Sequence, residues 1–419
     1  KPLVFLLELR KYTNMAHLRK RHAIDITKKI LAFSPLVGIF GHRQVGKTTF
    51  IEHMAKSYVS FDDKPTRLAA EEDASLFLRG LGATPAGVDE CQLVPDLFPA
   101  LKELVRKNKA PGQILLSGSV KFYSRKAIRE SLTGRIVNID LLPLSLTELG
   151  EVERSRMPLV LIEKERFGNE LEQNILVQNQ KRGEKLINSY LTMGGLPGVC
   201  FIRDSSLRSA RLKEQLQLML DRDLRLVYPS SVPYLQILEF AHSLAQQEGE
   251  PYQPTITRKL TGLAEATQKK LLQALEAIFL IRLMSIEGDR RGLCVYFEDQ
   301  AEHLFLAQER FDQLKAFEGL VYRNMRASFA YEAGYDYRVF QFRERPDVRI
   351  PYVFKSRNGS LGVLPILESS PSSKDLRMAN RFLQKYNHSH ILIVTLGQCQ
   401  SKIIDSRILQ IPAEKLLLE

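Results

Sequence analysis

Gly41-His42-Arg43-Gln44-Val45-Gly46-Lys47-Thr48 is the stretch on which the reading of this chain turns. Before it stands Pro35-Leu36-Val37-Gly38-Ile39-Phe40, a short apolar strand, and after it a helical pattern with Phe50, Ile51, Met54 and Ala55 on one face. Two glycines, then a lysine and a hydroxyl, set between a strand and a helix, form the pattern of a phosphate loop. The glycines let the backbone curl so that successive N–H groups converge on phosphate oxygens. The N-terminus of the following helix adds free donors and positive potential. Gly41, His42, Arg43, Gln44, Val45, Gly46, Lys47, Thr48 and Thr49 are therefore the candidate phosphate-gripping residues. Lys47 would reach the β- and γ-phosphates, and Thr48 would offer its hydroxyl to Mg2+.

Some forty residues further on stands Val88-Asp89-Glu90. In phosphate-loop proteins a strand ends in a carboxylate that holds Mg2+, here Asp89, and a following glutamate, here Glu90, polarises the attacking water. The preceding Ala83-Thr84-Pro85-Ala86-Gly87 is poor in β-branched residues, and Pro85 cannot donate to a ladder, so this strand is expected to be short or distorted. Further strands are expected at Ser57–Asp63, Gln113–Ser117 and Ile136–Leu142, with helical text between them, as in Phe98–Arg106. The alternation predicts an α/β fold: a parallel sheet with helices on both faces. Ser117 closes the third of these strands; its hydroxyl would sense the γ-phosphate or simply make a turn. Arg135 reads either as an arginine finger, in its own subunit or in a neighbouring one of a homo-oligomer, or as an exposed arginine.

Outside this region the text is mainly helical from about Ser145 to Arg282, with breaks at Gly194-Gly195-Leu196-Pro197 and around Gly249–Pro254. Beyond Gly288 strand-like and helical pieces mix again, with strands at Leu293–Phe297, Tyr337–Phe342, Arg349–Phe354, Gly362–Leu367 and His390–Leu396. The 419 residues, 44% hydrophobic and 26% charged, suit several globular domains rather than a disordered chain. Trp is absent and aromatics are 8%, which disfavours stacking platforms, and the four cysteines have neither zinc spacing nor the density of a disulfide framework. A reducing cytoplasm is the simplest compartment, and no apolar run has the ~18–20 residues of a membrane span. The formal charge of +12 suits a polyanionic partner. The basic stretch in residues 1–30 would be either a solvated helix face or a contact to DNA.

Several motifs then fall in order: Gly41–Thr49; Ser60-Phe61-Asp62-Asp63 with Arg67, Glu71 and Asp73; Asp89-Glu90-Cys91-Gln92; Ser117-Gly118-Ser119; Glu130-Ser131-Leu132-Thr133-Gly134-Arg135; Leu142-Pro143-Leu144-Ser145; Tyr190-Leu191 with Gly194-Gly195-Leu196-Pro197; and Asp221–Leu226. In these the chain resembles prokaryotic AAA-type ATPases whose C-terminal half is an uncharacterised domain with a helical, winged-helix-like part and a restriction-nuclease-like part. The resemblance implies ATP binding and hydrolysis with Mg2+. It suggests a basic arm at 1–30, a P-loop ATPase domain at 31–155, a winged-helix-like region at 156–300 and a nuclease-like α/β domain at 301–419. Leu260–Ile281 looks like the helix-turn-helix portion, with Gly262 in the turn, Thr267 capping the second helix, and Gln268 and Gln273 as the polar side chains able to read bases; it either contacts DNA or only packs. The nuclease pattern is degenerate: Pro351 stands where an acid would fall, and Glu368 is followed by no suitably spaced lysine, although Glu318 and Asp347 lie nearby. Nuclease chemistry is not expected. Two functions follow as expectations: an ATP-hydrolysing conformational switch acting on or near nucleic acid, or a nucleotide-binding, DNA-associated scaffold with little turnover.

Overall fold

The computed structural model describes residues 18–419 apart from 122–131, 133, 165, 169–179, 289–291, 309–311, 333–335, 345–346, 358 and 398. Most of the expected basic arm, and Ser131 and Thr133 before Arg135, lie outside the described residues.

A five-stranded sheet carries the phosphate loop. Its strands are β1 (Leu36–Gly41), β2 (Ser57–Ser60), β3 (Ala86–Asp89), β4 (Ile114–Gly118) and β5 (Ile136–Leu141), in the order β2-β3-β4-β1-β5 and all parallel. β1 is buried along its whole length, as a central strand covered on both faces must be. Its alternate residues divide the core. Leu36 and Phe40 join Leu101 and Val105 on one side, whereas Val37 and Ile39 join Phe50 and Ile51 on the other. Helices α1 (Ala23–Leu31) and α2 (Lys47–Met54) thus cover one face and α3 (Leu97–Lys107) the other.

The short β3 has a packing reason. A Cβ placed on Gly87 would lie 2.5 Å from Ile51 Cγ2 and 3.1 Å from Ala55 Cβ. Small residues let the strand pass directly beneath α2, which a β-branched residue would push away. Pro85 stands just outside the strand, where no donor is required, and its carbonyl accepts from Lys56 N at 2.8 Å.

The middle of the chain holds α4 (Tyr234–Gln246), α5 (Pro254–Thr261) and α6 (Glu265–Ala277), followed by the antiparallel hairpin β6 (Ile281–Glu287) and β7 (Leu293–Phe297). Pro251, between α4 and α5, bridges Cys294 of the hairpin. Gly262 closes α5 in the left-handed region at φ 71°, as expected of the turn. The next helix is capped by Ala264 rather than Thr267, whose amide donates to the Ala264 carbonyl.

The hairpin does not stop at its own module. β6 pairs in parallel with β8 (Arg338–Glu344), and β9 (Val348–Lys355), β10 (Ser360–Ile366), β11 (Ser389–Thr395), β12 (Lys402–Asp405) and β13 (Ile408–Pro412) complete a mixed eight-stranded sheet in the order β12-β13-β11-β10-β9-β8-β6-β7. The expected division near residue 300 therefore runs across a single hydrogen-bonded sheet. β7 leads into α7 (Gln300–Ala307), and the buried α8 (Gln313–Ala330) covers one face of the sheet while α9 (Ser373–Lys385) covers the other. Strands β6, β12 and β13 were not legible in the sequence: β6 continues the apolar text of α6, and β12 is a half-buried edge strand.

One buried charge cluster ties the two sheets together. Glu298, just past β7, accepts from both terminal nitrogens of Arg326 on α8 at 2.9 and 2.6 Å and from Arg282 Nε on β6 at 3.1 Å. Arg282 Nη2 also donates to Asp140 on β5 at 2.6 Å. Burial alone would raise the Glu298 carboxyl, but Arg282 and Arg326 outweigh it and hold the group far below the usual range. Replacing Glu298 by Gln leaves Arg326 buried without its counter-charge and Arg282 with Asp140 alone, and we expect a loss of roughly 3–5 kcal/mol on urea unfolding at neutral pH. Because the folded value is depressed, the stabilisation is complete above the ordinary value of 4.5 and disappears as the pH falls toward the lowered one. Equal unfolding midpoints at pH 7 would refute this role.

Candidate functional site: the phosphate loop and its acidic strand

The C-terminal ends of β1, β3 and β4 lie side by side, with Phe40 opposite Gly118 and Val88 opposite Leu116. The loop leaves β1 at Gly41, where an added Cβ would lie 2.3 Å from the Leu141 carbonyl oxygen of β5. It enters α2 through Gly46 at φ 93°, a conformation that glycine adopts without strain. Lys47 is buried, and its ammonium donates to the carbonyls of Gly41 at 3.1 Å and His42 at 2.9 Å. Burial lowers its pKa, against the attraction of Glu90 and Asp89. The lysine ammonium is thus folded back onto the carbonyls of the loop's first two residues.

Asp89 is the meeting point. Oδ2 accepts from Thr48 Oγ1 at 2.6 Å and Tyr58 OH at 3.0 Å. Oδ1 accepts from Ser117 Oγ and from Glu90 N, the latter at 3.0 Å. The two residues expected to hold a metal ion, Thr48 and Asp89, are therefore in direct contact, with Ser117 on the same carboxylate. Glu90 follows in the left-handed region at φ 54° and accepts from Gln92 Nε2, which also donates to Ser119 Oγ at 3.3 Å. Burial raises the Glu90 carboxyl, with Asp89 adding to it and Lys47 opposing. A carboxylate oxygen set, a hydroxyl, a lysine and a second partly desolvated carboxylate fit a Mg2+-bound polyphosphate chemically. Thr49 is exposed in the first turn of α2.

Arg135 is not brought to this site. It precedes β5, whose Ile136 is level with Leu36, whereas the phosphate loop starts level with Leu141. About 20 Å of strand separates them at ~3.3 Å per residue. The parallel register places Arg135 toward the opposite end of the strands from the phosphate loop.

Other side chains that the sequence did not single out hold the loop from outside. Arg21 donates to the Val45 carbonyl at 2.8 Å and to Glu148 at 3.1 Å. It is buried, so it is not part of a solvated basic face. Arg43 pairs with Asp223 at 3.1 Å, and His42 with Glu302 at 2.9 Å. The only sequence signals for these acids were the Asp221–Leu226 segment and an ordinary-looking Asp299-Gln300-Ala301-Glu302.

One further expectation changes. Gln268 is buried; it accepts from Tyr252 OH and donates to the Leu263 and Pro254 carbonyls, so it cannot read a base. Lys269, Lys270 and Gln273 remain exposed on α6, beside exposed Arg258 and Lys259 of α5. In the C-terminal sheet Glu318 is clamped by Arg349 through two bonds of 2.7 Å, while Glu368 is exposed beyond β10. Among the described residues no cluster of three His, Cys, Asp or Glu side chains is placed to hold a metal ion. No helix among them is long and apolar enough to cross a membrane.

Residues 34–150 match the AAA domain family. This segment is an AAA domain. Residues 184–290 match a domain of unknown function (DUF8612), so the chain joins a P-loop AAA-type ATPase domain to a C-terminal domain of unknown function. An uncharacterized protein of Mycobacterium bovis and one of Mycobacterium tuberculosis are each 25% identical over 423 residues, covering 96% of this chain and 85% of their own length. Among solved structures, a Walker-type ATPase of Pyrococcus abyssi is 13% identical and aligns with 68% of this chain and 95% of its own at a TM-score of 0.40.

The His42 pair gives a test of the AAA domain's electrostatics. Burial lowers the imidazole pKa, but the Glu302 carboxylate overrides it and the net shift is upward. The stabilisation is then complete below the ordinary value of 6.5 and is lost as the pH rises through the raised one. Thermal melts of wild type and His42→Gln should differ most near pH 6 and converge in alkali. A gap that widens with pH would contradict the pairing.

Proposed function

We propose that the AAA domain binds ATP with Mg2+ and hydrolyses it, and that the nucleotide state is passed to the C-terminal half. The observation that carries this reading is the Asp89 carboxylate, held by Thr48 and Ser117 and set between a phosphate loop and Glu90. In this assignment the amides of residues 41–49 and Lys47 grip the phosphates. Thr48 and Asp89 hold Mg2+, and Ser117 aligns Asp89. Glu90 accepts the proton of the attacking water. Arg135 would act only on a neighbouring copy of the chain.

Steady-state phosphate release tests the assignment. Lys47→Ala should abolish nucleotide binding in calorimetry. Glu90→Gln should retain binding and lose turnover by roughly 10²–10⁴-fold, the usual contribution of a general base. Turnover should rise with protein concentration if Arg135 works across subunits, and this dependence should vanish in Arg135→Ala. Turnover unaffected by Glu90→Gln would remove Glu90 from the mechanism.

A nucleic-acid role is supported by the middle module. Three helices followed by a hairpin, with a bridging residue between the first two helices, is the connectivity of a winged helix, and α6 occupies the position of the recognition helix. Its exposed Lys269, Lys270 and Gln273 face solvent together. Duplex DNA binding measured by anisotropy should weaken steeply with salt. Lys269→Gln with Lys270→Gln should flatten the slope by about 0.9 for each phosphate that the variant no longer neutralises. A slope identical to wild type would remove α6 from the interface.

A further inference from the structure

The phosphate loop is held by side chains that the AAA domain does not contain. His42 is fully buried, and its Nε2 lies 2.9 Å from Glu302 Oε2 on α7, an ion pair rather than an aligned hydrogen bond. The other ring nitrogen is 2.6 Å from the Arg43 carbonyl oxygen, so the imidazole spans from α7 to the loop's own backbone. Glu302 is fixed in turn by Gln215, whose Nε2 donates to Oε1 at 2.9 Å.

One turn earlier on the same element, Asp299 grips the second contact. Its Oδ2 accepts from the amides of Gly195 at 2.7 Å and Leu196 at 3.1 Å, and Oδ1 from Ala301 N at 2.8 Å. The Gly194–Gly198 turn that it holds lies against the loop. A Cβ on Gly198 would be 2.4 Å from Gln44 Oε1, and one on Gly46 would be 3.9 Å from Pro197 Cγ. A Cβ on Gly194 would collide with Asp299 itself, at 2.3 Å. Both acids are fully buried, so each depends on its partners and cannot release them to water without cost. Burial and neighbouring Glu302 push the Asp299 carboxyl upward, while the backbone amides oppose this.

Position in the chain adds to the case. Asp299 and Glu302 follow directly on Glu298, which carries the ion pairs to Arg282 of the hairpin and Arg326 of α8. Five consecutive residues, Glu298 to Glu302, thus touch β6, α8, the Gly194–Gly198 turn and the phosphate loop. A loop whose amides must converge on a phosphate within a few tenths of an ångström depends on what fixes its far side.

We propose that Glu302, through His42, and Asp299, through the Gly194–Gly198 turn, are positioning residues for the phosphate loop, so that nucleotide binding is felt at the junction of β7 and α7. This rests on the nucleotide-binding reading above. The probe is ATP with magnesium, or a non-hydrolysable analogue, added to the full chain during hydrogen–deuterium exchange. Protection is expected in residues 42–49 and also in 194–199 and 299–307. Protection confined to 42–49 overturns the positioning roles and leaves nucleotide binding intact. No change in any of the three segments overturns both. In calorimetry, Glu302→Gln should weaken ATP binding roughly ten-fold. The double variant with His42→Gln should lose no more than the worse single variant, because the two act as one unit. A Glu302→Gln protein that melts earlier but binds ATP with unchanged affinity would show a merely structural contact and would overturn the inference.

Discussion

Asp89 is one carboxylate on which four donors from four places in the chain converge: the first turn of α2, strand β2, the end of β4 and the amide of Glu90. A buried carboxylate must be matched by donors, and here the match forces the strand ends into register. Thr48 can reach Asp89 only because Gly87 lets β3 run close beneath α2. The two glycines of the loop and the glycine of β3 therefore serve one requirement, the approach of a hydroxyl and a carboxylate that can share a metal ion.

The second constraint is charge burial on the far side of the loop. Arg21, Asp223 and Glu302 each come from outside the parallel sheet and each meets one residue of the stretch 42–45. Arg282, bonded to Asp140 on one side and Glu298 on the other, joins that sheet to the mixed one. Buried pairs of this kind contribute little net stability against apolar replacements but penalise every arrangement in which one partner is missing. They fix how the two halves meet and leave the phosphate-facing side of the loop to the backbone amides.

Much of the AAA domain was legible because its signals are local. A strand, a glycine turn and a helix follow one another within about twenty residues, and the residue types at Gly46, Lys47 and Thr48 have few other uses in that order. Thr48 and Asp89 were each marked by their own motif, but their direct contact spans forty-one residues and was decided by the packing of β3 beneath α2. The remainder needed register and burial. Arg135 fits the finger motif in sequence, and parallel pairing with β1 sets it at the other end of the strands from the phosphate loop of its own chain. Gln268 sits where a base-reading residue could stand, yet the helix turns it toward Tyr252 and Leu263. The weak text before Asp89 proved to be a close-packing requirement, which no strand propensity expresses.

The amino-acid sequence by itself determined the phosphate loop, the acidic strand end and the α/β class, because these depend on contacts between near neighbours and on backbone freedoms that residue type dictates. Only the tertiary structure decided that the hairpin Ile281–Phe297 belongs to the C-terminal sheet, that Glu318 is neutralised by Arg349, and that His42 answers to Glu302. Those facts depend on which faces are buried together across tens to hundreds of residues, and a lone glutamate or histidine in a string carries no mark of the partner that burial will require.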